Sequence, residues 1–425
     1  MLRRLVSAMA FVLGISVTGM SAQTFTTLHT FNNTDGANPQ AALIEDRAGN
    51  LYSTTEYGGA YQVGNAFKLS QSGTFAVLHD FGYPSEDGAR PWAPLLADGH
   101  GNLYGTTYSG GSYCADYEES QCGTVFKIDS AGQETIVHSF TGGTSSSKDG
   151  ANPAAGLITD TAGNLYGTTW GGYNGSVAYE LTPSGNETIL HQFAGGSDGI
   201  TIYGPLVRDA AGNLWGTTNA GGGTTACSGG CGTVFELHKT SGGWSEKVTY
   251  RFEGGAGGAV PYAGLTYDAQ RHVFYGTTQF GGGASGCMYL GNDTGCGVLF
   301  ELDATGTRET VLHDFSGQAD GGQPAANLIL DSQGDLYGTT TMGGDLSCPS
   351  SYQGCGTVFV RSGKGAFATL HTFTGGADGA VPYGALLLDT KRASLYGTTT
   401  VGGNASCQTQ EGGGPGCGTV FKIKP

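Results

Sequence analysis

The stretch Gly101-Asn102-Leu103-Tyr104-Gly105-Thr106-Thr107 is the clearest copy of a motif that recurs along the whole chain. Its core, LYGTT or a close variant, begins at seven positions that lie 49 to 62 residues apart: Leu51, Leu103, Leu165, Leu214, Phe274, Leu336 and Leu395. A unit of nearly constant size repeated in this way is typical of a propeller or a solenoid. We therefore expect one repeat domain, although 425 residues would otherwise suggest about three domains.

Each repeat contains four short segments of β type, which we name a to d in chain order. Segment b is the LYGTT motif, segment c reads GTVFKI or a variant, and segment d reads TxLHxF. Segment a is apolar and ends in an aspartate, at Asp46, Asp98, Asp160, Asp209, Asp268, Asp331 and Asp389. Short strands joined by Gly-rich turns, without a helical period between them, predict an all-β fold of four-stranded antiparallel meanders.

Seven such units predict a seven-bladed β-propeller with four-stranded antiparallel blades. The chain after residue 22 opens with a lone d segment, Phe25 to Phe31, and closes with segments a, b and c, ending at Ile423. We therefore expect the N-terminal strand to pair with the C-terminal strand, which closes the ring and removes an exposed sheet edge. A β-helix is the alternative, but its coils are shorter and do not need four distinct strand types.

The quoted elements GNLYGTT, GTVFKI and LHxF resemble the GloVer tandem-repeat family of exported bacterial proteins over nearly the whole chain. In outline they are also similar to NHL-type propeller repeats. The GloVer resemblance implies an extracellular or envelope location, and it carries over no catalytic residue.

Residues 1–22 have the pattern of a secretory signal peptide, followed by a single domain at residues 23–425. Arg3 and Arg4 precede an apolar run from Leu5 to Val17, and small residues follow up to Ala22. The run is too short for a membrane span, so no membrane insertion is expected after cleavage. We predict a secreted, periplasmic or extracellular protein and a monomer.

A net charge of −16, from 35 acidic and 19 basic residues, argues against nucleic acid as a partner, because phosphate backbones bind clustered Lys and Arg. The chain contains no HExxH motif and no phosphate-binding loop. We expect no cofactor and no metal.

The ten cysteines fall into five close pairs, each in a loop between segments b and c. Zinc would need four ligands, and no second pair or histidine lies in the same loop. An exported chain favours disulfides. The predicted bonds are Cys114–Cys122, Cys227–Cys231, Cys287–Cys296, Cys348–Cys355 and Cys407–Cys417.

The histidines of segment d and the aspartates of the following DGAxP-like turns are repeated, so we interpret both as structural. The histidines are His29, His79, His138, His191, His313 and His371, with Tyr250 in the remaining unit. The repeat places them on the outermost strands, where no two can reach one ion. The turn aspartates cap backbone amides in such turns, and calcium-loop spacing is absent.

A binding site needs residues that break the repeat symmetry. Aromatic and acidic side chains concentrate in units 1 to 3, in the loops after segment b and in the segments that enter segment a. The candidates for ligand binding are Trp92, Tyr108, Trp170, Tyr57, Glu56, Glu118 and Glu119. The alternative role for these rings is packing between blades.

Two functions follow from this distribution. The first is a non-catalytic exported scaffold that binds an unknown glycan, peptide or surface partner. The alternative is an extracellular polysaccharide hydrolase or lyase that uses a pair of carboxylates on the loop-rich face.

Overall fold

The computed structural model describes residues 23–82, 86–111, 122–144, 148–284, 287–289, 292–293, 295–348, 353–408 and 415–424. The predicted signal peptide, residues 1–22, lies outside these ranges. Within them the protein is all-β, with seven four-stranded antiparallel sheets and one short 3₁₀ helix, Gly255–Gly257. The seven-bladed propeller predicted from the repeat is confirmed.

Each sheet runs in the order a, b, c, d, and the first strand of the chain, β1 (Thr24–Thr30), belongs to the last blade. Blade 1 consists of β2 (Ile44–Glu45), β3 (Leu51–Thr55), β4 (Asn65–Leu69) and β5 (Phe75–Asp80). Blade 2 consists of β7 (Leu96–Ala97), β8 (Leu103–Thr107), β10 (Thr124–Ile128) and β11 (Glu134–Ser139), and blade 3 of β13 (Ile158–Thr159), β14 (Leu165–Thr168), β16 (Ser176–Leu181) and β17 (Glu187–Phe193). Two short strand pairs lie in the connecting loops, β6 (Gly88–Ala89) with β9 (Ser109–Gly110) and β12 (Gly150–Ala151) with β15 (Gly171–Gly172).

Blades 4 to 7 repeat the same order with two additional short strands in the loop of blade 5. Their strands are β18 (Val207–Arg208), β19 (Leu214–Thr218), β20 (Thr233–Thr240), β21 (Gly243–Arg251), β22 (Thr266–Asp268), β23 (Val273–Thr277), β24 (Met288–Tyr289), β25 (Asn292–Asp293), β26 (Val298–Leu302), β27 (Glu309–Asp314), β28 (Ile329–Leu330), β29 (Leu336–Thr340), β30 (Thr357–Arg361), β31 (Phe367–Thr372), β32 (Leu387–Asp389), β33 (Ser394–Thr399) and β34 (Thr419–Lys424).

The two ends of the chain close the ring. Strand β1 pairs antiparallel with β34, with Phe25 opposite Ile423 and Thr30 opposite Thr419. The last sheet therefore has the order β1-β34-β33-β32, as the repeat phase predicts. Closure leaves β34 paired on both sides, so its backbone groups are not an exposed edge.

The structure explains why glycine and two threonines occur in the GTT part of the motif. A side chain at Gly105 would place a Cβ atom 2.4 Å from the Phe126 ring of strand c, so the blade packs only around glycine. Thr106 Oγ1 donates a hydrogen bond to the Ala155 carbonyl of the next blade at 3.3 Å. Thr107 Oγ1 accepts the Thr124 N–H at 3.1 Å, which fixes the start of strand c.

The hydrophobic core lies between neighbouring blades. One cluster joins Val125 and Phe140 of blade 2 to Leu157 and Tyr179 of blade 3, and these four residues are at most 6% exposed. Burial of apolar surface between blades contributes roughly 25 cal/mol per Å², so each blade depends on its neighbours for stability.

Four of the five predicted disulfides are confirmed. The bonds are Cys227–Cys231, Cys287–Cys296, Cys348–Cys355 and Cys407–Cys417. Cys122 is also disulfide-bonded, but its predicted partner Cys114 lies outside the described residues. Such bonds fit an extracellular or periplasmic protein. Among the described residues no helix is long and apolar enough to cross a membrane.

Candidate functional site

The segments that enter strand a of all seven blades meet around one cavity of about 150 Å³. Its lining includes one position of each repeat that breaks the repeat symmetry, namely Gln40, Trp92, Ala154, Tyr203, Tyr262, Ala325 and Tyr383. Because every blade contributes to one cavity, it lies on the axis of the ring. We call it the axial cavity.

Each entering segment contains a residue with left-handed backbone, followed by proline in six blades and by Ile202 in blade 4, and this residue anchors the loops around the axial cavity. Arg90 (φ +57°) is an example: its N–H donates to the Val63 carbonyl of blade 1 at 2.8 Å, and its carbonyl accepts the Tyr108 N–H at 2.9 Å. The equivalent bonds hold Glu56 to Asn38 and Trp170 to Asn152. The backbone thus places the residue after each GTT motif next to the segment that lines the axial cavity.

Tyr108 lies between two tryptophans. Its ring centroid is 4.6 Å from that of Trp92 and 6.2 Å from that of Trp170. Trp92 lines the axial cavity, Tyr108 is half-buried, and Trp170 is 38% exposed. Burial raises the pKa of the Tyr108 hydroxyl above its usual value. The three rings form a continuous aromatic surface, which we call the aromatic ladder, from the axial cavity to solvent.

Beside the aromatic ladder, Glu56 belongs to a buried polar network. Gln40 Nε2 donates to Glu56 Oε2, and Arg90 Nε lies 3.5 Å from Glu56 Oε1. The Arg90 guanidinium also donates to the Tyr57 hydroxyl and lies 4.8 Å from the centre of the Tyr57 ring. Glu56 is 3% exposed, so its carboxylate orients Arg90 and Gln40, and direct contact of Glu56 or Tyr57 with a ligand stays a prediction.

Three tyrosines face the axial cavity from the opposite half of the ring. Tyr203 and Tyr262 stack with centroids 4.3 Å apart, and Tyr383 lies 6.2 Å from Tyr262. Burial, together with the neighbouring tyrosines, raises the pKa of Tyr262 well above its usual value. The described residues that line this cavity include no carboxylate.

A larger cavity of about 550 Å³ lies between blades 1 and 2, where the a–b and c–d turns meet. Its lining combines apolar side chains such as Ile44 and Leu78 with charged ones such as Arg47, Lys68 and Asp129. Its volume falls in the range of small-molecule sites, roughly 300–1,000 Å³. The sequence did not indicate it, because its lining residues occupy ordinary repeat positions.

At the outer rim, the histidine of each d strand lies beside the aspartate of the following turn. His79 Nε2 is 3.0 Å from Asp87 Oδ2, and His313 Nε2 is 3.0 Å from Asp320 Oδ2. Each aspartate also accepts a backbone N–H from its own turn, as Asp87 does from Gly82 at 3.0 Å. These backbone bonds are the turn capping that the sequence predicts for the aspartates. Burial alone would lower the pKa of His79, but Asp87 outweighs it and the pKa is raised.

A bulge directs these histidines. Between strands c and d the register shifts immediately before the histidine: His138 pairs with Val125, but Ile136 pairs with Phe126, which leaves Val137 as the extra residue. The same shift occurs in all seven blades. Bulges re-aim side chains, and here each one precedes a histidine or Tyr250 that reaches the next blade.

Three blade junctions add a glutamate from the next blade to the His–Asp pair. The trios are His79–Asp87–Glu134, His138–Asp149–Glu187 and His191–Asp198–Glu246, and in each trio the nearest nitrogen and oxygen atoms lie within 4.8 Å of one another. Burial, and then the charge of the neighbouring aspartate, raises the pKa of each glutamate to about 7. These glutamates are not apparent in the sequence, because each meets its histidine only across a blade junction.

Two of the predicted ligand-binding residues, Glu118 and Glu119, lie outside the described residues. The structure brings Trp92, Tyr108 and Trp170 together and places Glu56 and Tyr57 beside them. Arg90, which the sequence analysis did not select, joins Glu56 to Tyr57.

The fold and the aromatic ladder define the class of protein as a β-propeller with one asymmetric sector on a repeated scaffold. The sequence profile of the Gloeobacter/Verrucomicrobia repeat family matches residues 15–170, 113–289 and 285–425. The chain belongs to this repeat family. No curated protein matches it in sequence.

Solved structures support the fold. Virginiamycin B lyase from Staphylococcus aureus superimposes with a TM-score of 0.55 at 11% identity, covering 95% of this chain and 99% of the lyase. The GH74 enzyme of Niastella koreensis has a TM-score of 0.52 at 15% identity, covering 89% of this chain and 53% of the enzyme. At such low identities these similarities show the fold alone.

Proposed function

We propose that this propeller is an exported, non-catalytic binding protein that recognises a glycan through the aromatic ladder. The observation that carries the proposal is the continuous surface of Trp92, Tyr108 and Trp170, which is 38% exposed at its outer end. A sugar ring stacks its C–H face on such rings, and nearby polar groups fix its orientation.

The polar network beside the ladder supplies those groups. The Arg90 guanidinium is 4.8 Å from the Tyr57 ring centre and is held by buried Glu56, which removes most of the conformational entropy that Arg90 would lose on binding. The axial cavity, at about 150 Å³, is smaller than a typical enclosed ligand site. The ligand therefore lies across the mouth of the cavity and not inside it.

The proposed location outside the cytoplasm rests on two features. The first 22 residues have the pattern of a signal peptide, and the four disulfides are of the kind that persists in oxidising compartments. The mature protein then starts at Gln23 and acts as a monomer.

A glycan array probed with the protein from Gln23 onward tests the proposal. We expect retention of one class of glycan by the wild type and loss of that signal in the double variant Trp92→Ala/Trp170→Ala. Trp244→Ala is the matched control, because Trp244 lies on the outer strand β21, remote from the axial cavity. An array without any retained glycan overturns the proposal, as does equal retention by the folded double variant.

The same material distinguishes binding from catalysis. The alternative function, an extracellular polysaccharide hydrolase or lyase, requires two carboxylates about 5–10 Å apart on this face. We expect the retained polysaccharide to keep its length after prolonged incubation, as measured by size-exclusion chromatography and reducing-end assay. New reducing ends or unsaturated products would instead establish the enzymatic alternative.

A further inference from the structure

At the junction between blades 2 and 3, a histidine, an aspartate and a glutamate face one another without a hydrogen bond between their facing atoms. His138 Nε2 lies 3.7 Å from Asp149 Oδ1 and 3.8 Å from Glu187 Oε1. Both distances exceed a hydrogen bond. These three atoms are buried and lack a hydrogen-bond partner. The Asp149 side chain is only 9% exposed, so an unpaired carboxylate oxygen in this place is costly unless something compensates it.

The spacing suits a metal ion. In a tetrahedral zinc site with bonds of about 2.0–2.2 Å, neighbouring ligand atoms lie roughly 3.3–3.6 Å apart. The two distances from His138 Nε2, 3.7 and 3.8 Å, need to shorten by a few tenths of an ångström only. One imidazole and two carboxylates are donors that zinc and similar first-row ions accept.

We propose that the three blade junctions with a His–Asp–Glu trio each bind a divalent transition-metal ion of the zinc class. In the other two trios the histidine and aspartate are hydrogen-bonded, at 3.0 and 3.1 Å, and the ion replaces that hydrogen bond. The glutamate Oε1 atoms of these two trios are buried without a hydrogen-bond partner. The ligands are His79, Asp87 and Glu134 between blades 1 and 2, and His138, Asp149 and Glu187 between blades 2 and 3. Those between blades 3 and 4 are His191, Asp198 and Glu246. Each ion joins a turn and d strand of one blade to the d strand of the next.

The remaining junctions provide internal comparisons. In the trios, the glutamate lies opposite the end of strand c. Three other blades have a phenylalanine at that position, namely Phe25, Phe75 and Phe367. There the histidine stacks on the ring instead, as His313 does on Phe367 with centroids 3.7 Å apart. At the fourth of these junctions, Tyr250 replaces the histidine, and its hydroxyl donates a hydrogen bond to Glu309 at 2.8 Å. The chain thus fills this junction with a His–Phe ring contact, with a Tyr–Glu hydrogen bond or with a His–Asp–Glu trio.

Zinc binding by untagged protein from Gln23 onward tests the proposal directly. The protein is stripped with a chelator, equilibrated with excess micromolar Zn²⁺ alone, and analysed for bound metal by mass spectrometry. We expect three equivalents and an increase in Tm, because binding to the folded state alone stabilises it. Fewer than one equivalent overturns the proposal.

Two substitutions exchange the junction types. Glu187→Phe introduces the stacked arrangement that the chain already uses at three junctions, and we expect it to fold and to bind two equivalents. Phe367→Glu places a carboxylate beside His313 and Asp320, and we expect it to bind four. Glu309→Gln is the control, since Tyr250 occupies its junction, and it should retain three equivalents.

The variants assign the metal to the trios. A stoichiometry of three that persists in Glu187→Phe overturns the assignment. One equivalent in the wild type that is lost in Glu187→Phe supports the site between blades 2 and 3 and overturns the other two. If Glu187→Phe does not fold, Glu187→Gln replaces it with the same expected loss of one equivalent.

Discussion

Glu309 shows how one repeat position acquires different chemistry in different blades. It occupies the place of Glu187 and of Phe367, but it accepts a hydrogen bond from Tyr250 and has no histidine opposite it. Its pKa is raised to about 7 by burial, which the hydrogen bond from Tyr250 only partly offsets. The consequence is a dependence of stability on pH that does not involve the trios.

We predict that Glu309→Gln stabilises the protein at pH 8 but not at pH 5. The folded state retains the proton of Glu309 more tightly than the unfolded state, whose pKa is near 4.5. The stability that the tightly held proton of Glu309 contributes is therefore fully present below pH 4.5 and is lost as the pH rises through about 7. Allowing for solvent screening, we expect a gain of about 1–2 kcal/mol at pH 8. Urea denaturation of both proteins at each pH measures it, and an equal difference at both pH values would contradict the prediction.

A second prediction concerns Gly232, which immediately precedes strand β20. Its φ is +92°, and an added Cβ atom would lie 2.3 Å from the Thr218 carbonyl oxygen. Gly212 has nearly the same φ, +90°, with nothing within 4 Å. We expect Gly212→Ala to cost about 1 kcal/mol for the left-handed backbone alone, and Gly232→Ala to cost about 3 kcal/mol or more because backbone must also move. Similar midpoints of thermal unfolding for the two variants would refute this account of the motif.

At the level of elements, strands b, c and d were predictable because each carries a recognisable motif with a fixed place in the blade. Strand a was predicted to run up to its aspartate, yet in blade 1 only Ile44–Glu45 is paired. The preceding residues turn toward the axis, where the Ala41 carbonyl accepts hydrogen bonds from Ser53 and from Thr398 of the neighbouring blade. Bonds to another blade are not visible in the local pattern, so the predicted strand was too long.

The residues of the candidate sites also differ in how far the sequence predicts them, because some contacts join different blades. Trp92 and Tyr108 were selected because they break the repeat, and the structure places them 4.6 Å apart. Glu187 was missed because it meets His138 across a blade junction, 49 residues along the chain. Aligning the first residue of every d strand, which is phenylalanine or glutamate in most blades, would have revealed it.

Ring closure yields the prediction that belongs to this level. Deleting residues 23–31 removes β1 and leaves one side of β34 unpaired, and it also removes the Phe25 ring that stacks on His371. We expect a lower Tm and self-association, because an unpaired strand edge pairs with other chains. Light scattering measures the association, and a synthetic peptide of residues 23–31 should restore a monodisperse protein. A monodisperse truncated protein with an unchanged Tm would contradict closure by β1.

At the scale of the whole molecule, the blade structure repeats evenly around the ring, but the candidate functional side chains lie on one side of it. The seven blades are similar, but the aromatic ladder lies on blades 2 and 3, with its polar network on blade 1 and the connection to blade 2. The three trios join blades 1 to 4. One half of the ring thus carries both proposed sites, and the metal ions would fix the blades that present the aromatic surface.

The affinity for the glycan selected by the array is the most direct test of binding at the aromatic ladder. Isothermal titration should give at least a tenfold weaker Kd for Trp92→Ala/Trp170→Ala than for the wild type, since each stacked ring contributes roughly 1 kcal/mol beyond its buried area. Trp244→Ala should bind like the wild type. A folded double variant that retains the wild-type Kd would contradict the claim that this face of the propeller binds the ligand.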